Sequence, residues 1–170
     1  QRTQGIEVQQ TSAVEEATNQ RVTGSSTLRL LSLNMAHGRK DSFSQIFVSE
    51  ADIRQNLNDI VDFLKRQNAD VVTLQEADSP SWWSGDFDHV ELLAREAGYG
   101  WYTHANHVDN MFGTYGTAVL SRFPITRGYQ IDFNPTPPTT RKGFTLAEIE
   151  WNPGNTTDDR LKIDVLSVHL

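Results

Sequence analysis

Two apolar runs end in polar groups that packing does not call for. The first, Leu30-Leu31-Ser32-Leu33, stops at Asn34, and the second, Val71-Val72-Thr73-Leu74, stops at Gln75-Glu76. Both read as buried strands. Strands adjacent in a sheet bring such ends to one edge, which is where open sheets hold ligands. A carboxylate there suits a hard, oxygen-seeking cation such as Mg²⁺. That ion keeps several waters, so Asn34 would act through one of them. His169 follows a third, alternating run (Leu161, Ile163, Val165) and is the remaining candidate. Spacing alone leaves a plainer alternative open: a Glu facing solvent at a strand end, an Asn opening a turn, and a surface or packing His.

The elements that must position these residues are legible from periodicity. In Asp52–Gln67, residues Ile53, Leu57, Ile60, Val61 and Leu64 form one apolar stripe at helical period, with Ser49 as a candidate N-cap. Asp88 with Glu91 three residues on predicts a capped helix over His89–Ala97, and Gly98 stands at its C′ position. Strands are predicted at Leu28–Asn34, Val71–Leu74, Trp101–His104, Thr117–Ser121, Phe144–Trp151 and Leu161–Val168. Within Phe144–Trp151 the apolar parity switches, which implies a bulge or burial of both faces. Residues 134–141 and 152–159 read as loops from their Pro, Gly and Asn content, and His104 and His107 fall in a predicted loop. Residues 1–27, rich in Gln, Thr, Ser and Glu, read as a disordered tail or linker. Strand, helix, strand, helix, then strands only, indicates α+β layering with helices on one sheet face.

Composition excludes more than it selects. A net charge of −7 argues against binding nucleic acid mainly through a basic surface, and the absence of cysteine removes disulfides and thiolate metal sites. No stretch approaches the ~20 apolar residues of a membrane-spanning helix. No G-x-S-x-G, P-loop or G-x-G-x-x-G opening a helix is present. Trp82-Trp83, in a polar loop, would form either local core over the sheet edge or an exposed aromatic surface for a lipid, sugar or base. The chain opens on Gln1 rather than Met. An upstream segment is therefore expected, compatible with an extracytoplasmic, membrane-tethered protein or with an interdomain linker.

Four segments, taken in order, resemble the endonuclease/exonuclease/phosphatase superfamily of DNase I-like proteins. They are LRLLSLNMAHG (Leu28–Gly38), IRQNLNDIVDFLKRQNADVVTLQEAD (Ile53–Asp78), YGTAVLSRFPI (Tyr115–Ile125) and VLSVHL (Val165–Leu170). The resemblance implies a four-layer αββα sandwich, of which this chain would supply roughly the first sheet and its helices. Residues 28–170 would form a partial domain without its C-terminal half, leaving an apolar inner face uncovered. The implied activity is divalent-metal-dependent phosphoester hydrolysis, by in-line attack of water on phosphorus. The substrate would be a lipid, small-molecule or nucleic-acid phosphoester; the Trp pair and acidic charge lean toward the first two. The implied roles are Glu76 as ligand of Mg²⁺ or Mn²⁺, Asn34 orienting the metal shell or the phosphate, and His169 stabilising charge on the phosphoryl oxygens. Thr117 departs from the family, many of whose members have Asn there. The family's Asp-x-Asn pair and Ser-Asp-His triplet, which carry the water-activating residue and further ligands, follow the segment matching VLSVHL and have no counterpart here. A non-catalytic binding or scaffold domain retaining the fold is the alternative from another class; an unrelated α+β domain with coincidental strand-end polar groups is the third.

Overall fold

The computed structural model describes residues 2–20, 26–35, 50–77, 88–110, 113–134, 142–154 and 159–169. The chain runs through β1 (Arg2–Ile6), β2 (Gln9–Gln10), α1 (Val14–Gln20), β3 (Leu30–Asn34), α2 (Glu50–Gln67), β4 (Val71–Gln75) and α3 (His89–Glu96). It continues through β5 (Trp101–Asn110), β6 (Gly113–Ser121), β7 (Ile125–Asp132), β8 (Gly143–Trp151) and β9 (Leu161–His169). His37, Ser49, Trp82 and Trp83 lie outside the described residues, so the proposed cap and the aromatic pair are not placed.

The strands form two sheets, in the orders β2-β5-β6-β4-β3 and β1-β7-β8-β9. β3 and β4 are parallel and joined through α2, as a strand–helix–strand unit requires. β4 is buried along its whole length because it has a core on each face. Val72 and Leu74 pack with Ala118 and Leu120 under Leu57, Val61 and Leu64 of α2 and Val90, Leu93 and Ala94 of α3. Val71 and Val119 look the other way, to Ile125, Ala147, Ile149 and Val165 of the second sheet. Helices, sheet and sheet thus stack as an α+β sandwich. Removing those apolar side chains from water, at about 25 cal/mol per Å², is what holds the layers together.

α3 is capped as its sequence predicts. The Asp88 carboxylate accepts a hydrogen bond from the Glu91 amide at 2.9 Å, and Gly98 takes a left-handed φ of 84° just past the C-cap, Ala97. The parity switch in β8 reflects burial on both faces. Thr145, Ala147 and Ile149 are buried between the sheets, while Phe144 and Leu146 are half-buried on the outer side.

Three expectations need correction. Residues 1–27 are not a featureless tail: β1 pairs with β7 and β2 with β5, one in each sheet. Edge strands need only their backbone groups paired, so the polar, exposed side chains of Arg2–Gly5 gave no apolar signal. The inner face of the five-stranded sheet is covered along β4, β5 and β6, because β7, β8 and β9 form a second sheet across it, while at β3 Leu30 and Ser32 remain exposed. His104 and His107 belong to β5, which runs six residues beyond the predicted His104 end.

Candidate active site

The predicted strand-end residues come together at one end of the sandwich. Asn34 is the last rung of the β3–β4 ladder, opposite Gln75. Beyond that rung the Met35 amide still donates to the Gln75 carbonyl (3.0 Å), while the Ala77 amide has crossed to the Gly116 carbonyl (2.9 Å). Glu76 makes the bend between them at φ 54°, a left-handed conformation that costs a side-chain-bearing residue roughly 1–2 kcal/mol. Strain of this kind is tolerated where surrounding structure fixes it, and it accompanies functional geometry. Here it aims the carboxylate off the sheet end.

Asn34 Nδ2 donates to Glu76 Oε1 at 3.1 Å. His169, at the end of β9 in the opposite sheet, brings Nε2 to 3.4 Å from the same oxygen. Both side chains are partly exposed, Glu76 at 19% and His169 at 28%, so the pair is open to solvent. The carboxylate accepts from the Asn34 amide, and the His169 imidazole lies beside the same oxygen.

The donor set meets the minimum for a hard cation: a carboxylate and an amide oxygen on adjacent strands. Mg²⁺ is commonly held by one or two carboxylates with waters and substrate phosphate completing its shell. Among the described residues there is no group of three or more His, Cys, Asp and Glu disposed to hold an ion.

The other histidines among the described residues serve the frame. His104 Nε2 lies 2.9 Å from the Ala77 carbonyl, bracing the residue after Glu76. His89 is buried in the first turn of α3. Thr117 is fully buried between the sheets, its hydroxyl 2.7 Å from both His107 Nε2 and the Thr145 hydroxyl. Sequence reasoning missed Gln75 and Ser167 as partners, although Ser167 shares the buried parity of Ile163 and Val165. A polar side chain on a buried parity was the available signal. Among the described residues no helix is long and apolar enough to cross a membrane.

No curated protein matches the chain. A solved structure, an endonuclease/exonuclease/phosphatase family protein from Leptotrichia buccalis C-1013-b, shares the fold. It has a TM-score of 0.57 at 14% identity, over 85% of this chain and 54% of that one. The chain therefore spans about half the length of that relative. The sequence pattern of the Endonuclease/Exonuclease/phosphatase family matches residues 31–162, well over half of the chain and inclusive of Asn34 and Glu76. With its strand–helix–strand unit and facing sheets, the chain belongs to the endonuclease/exonuclease/phosphatase family.

Proposed function

We propose that the protein is a divalent-metal-dependent phosphoester hydrolase whose site is built around Glu76. The supporting observation is that Asn34, Glu76 and His169, from three strands and two sheets, meet at one carboxylate oxygen. Glu76 would hold Mg²⁺ or Mn²⁺. Asn34 fixes the carboxylate through its amide and would orient the metal shell or the phosphate. His169 would donate to a phosphoryl oxygen as negative charge grows there, a contribution that is largest when the donor is fixed in advance. The bound cation would supply Lewis acidity and neutralise phosphoryl charge.

The substrate class that fits best is a small-molecule or lipid phosphodiester. A net charge of −7 repels an extended polyanion unless a local basic groove compensates. The test is hydrolysis of bis-p-nitrophenyl phosphate with Mg²⁺ by the full-length protein beside its Glu76→Ala variant. The substitution is expected to remove nearly all metal-dependent turnover, and EDTA to do the same to the unsubstituted protein. Equal rates for the two proteins would overturn the metal role of Glu76.

A further inference from the structure

The space between the two sheets is divided in two along the strands. Away from the site it is apolar, filled by Val71, Val119, Ile125, Ala147, Ile149 and Val165. At the site end it is crossed by a row of buried polar side chains that link β4 to β9, β6 to β8 and β5 to β7. Gln75 Nε2 on β4 donates to Ser167 Oγ on β9 at 3.1 Å, and Ser167 Oγ donates to the Leu74 carbonyl at 2.7 Å. The Thr117 hydroxyl on β6 lies 2.7 Å from that of Thr145 on β8, which donates to the Thr117 carbonyl at 2.8 Å. His107 Nδ1 on β5 meets Asp132 Oδ1 on β7 at 2.8 Å, and its Nε2 returns to Thr117.

The backbone makes room for this row. His107 is the extra residue of a bulge in β5, where the register slips between Asn106 and Val108. Opposite it stands Gly143, where a Cβ would come within 2.5 Å of His107 Nδ1. Apolar packing between sheets is non-directional and tolerates sliding, whereas hydrogen bonds fix both spacing and register. Buried polar groups are costly unless every member is satisfied, so a satisfied row favours one arrangement over its neighbours.

We infer that the polar row holds the two halves of the site in register, with Gln75 and Ser167 as its positioning residues. This rests on the reading of the Glu76 site given above. Gln75 immediately precedes Glu76, and Ser167 is the inward-facing residue before His169 on β9. β4 is thus tied one residue, and β9 two residues, before its functional side chain. β4 and β9 share no backbone ladder, so the 3.4 Å approach of His169 to Glu76 depends on side-chain links across a gap of about 10 Å.

The experiment uses Ser167→Ala, which deletes the hydroxyl with little change of volume. Ser167→Thr restores the hydroxyl, Gln75→Met removes the amide at similar length, and Ile149→Val is a control in the apolar half. The first readout needs no metal. The His169 ring nitrogen and proton signals are followed by NMR with Glu76 and with Glu76→Gln in each background. The Glu76→Gln shift is expected to be full in the unsubstituted, Ser167→Thr and Ile149→Val backgrounds, and mostly lost with Ser167→Ala or Gln75→Met. The second readout is Mn²⁺ affinity, expected to weaken about tenfold with Ser167→Ala, the lower end of what loss of an outer-shell partner costs. A full-sized shift in both Ser167→Ala and Gln75→Met, or an equal loss in Ile149→Val, would overturn the inference. Equal Mn²⁺ affinity in Glu76→Ala and the unsubstituted protein would instead overturn the metal reading, and the ring signals would still decide the positioning role.

Discussion

The Glu76 carboxylate and the His169 imidazole meet 3.4 Å apart across the gap between two sheets, although no backbone ladder joins their strands. One follows a strand that the α2 unit locks beside β3, the other ends β9 of the facing sheet. The site is therefore a property of how the sheets are stacked.

Asn34 is bound to that carboxylate from within its own sheet, at an exposed position. Asn34→Ala is expected to lower kcat/KM on bis-p-nitrophenyl phosphate by about 10- to 100-fold, the usual loss for a partner that orients a metal ligand. The melting temperature should barely move, because an exposed hydrogen bond contributes little to folding. A loss smaller than twofold would separate Asn34 from the site.

The left-handed φ of Glu76 gives an unusual stability ordering. Glycine adopts this conformation without a Cβ penalty, so Glu76→Gly should be more stable than Glu76→Ala by about 1 kcal/mol. Both lack the carboxylate and both should be inactive. Chemical denaturation of the two variants decides the point; alanine equal to or above glycine would show that the bend carries no strain.

Gly116 lies against the residue that follows Glu76. A Cβ there would strike the Ala77 carbonyl oxygen, and it would come within 2.6 Å of the His104 ring and 2.9 Å of the Ala105 carbonyl. Two of these are backbone, which cannot swing aside. Gly116→Ala should cost about 1–3 kcal/mol, as overpacking does, and should depress activity further by displacing Ala77. Paired unfolding and rate measurements test both parts.

Alkaline pH should weaken the fold through two tyrosines. Burial pushes the phenols of both Tyr99 and Tyr102 up to about 12; at Tyr99 the Arg122 guanidinium partly offsets this, and at Tyr102 the Asp88 and Glu91 charges add to it. A folded-state value above the unfolded value of about 10 means the neutral phenol is favoured in the fold. The associated stability is complete below about pH 10 and is lost as pH rises through about 12. Absorbance at 295 nm should show the Tyr99 and Tyr102 phenols titrating late. Tyr99→Phe should remove one of them and forfeit the bond from the Tyr99 hydroxyl to the Ala69 carbonyl.

The legible parts of this fold were those in which side chains carry the pattern. The stripe of α2, the Asp88–Glu91 cap and the apolar run of β4 each reflect burial or capping by the residue itself. β1 and β2 were illegible because their contribution is backbone pairing at sheet edges, which leaves polar side chains exposed. β7 was missed because its burial does not alternate, its register with β8 slipping between Ile125 and Arg127. For the site, the types of Asn34, Glu76 and His169 and their strand-end positions were readable. Their convergence was not, since nothing local tells β9 to lie across from β4. His107 looked like a loop residue because a polar interior inverts the usual rule that strands bury apolar groups.

The segment from Arg2 to Gln10 acts as a hem on both sheets, finishing the β7 edge of one and the β5 edge of the other within nine residues. An unfinished edge is an open template for strand addition. Clipping this short, polar segment would bare the β7 and β5 edges, replacing short polar margins with longer strands open to pairing.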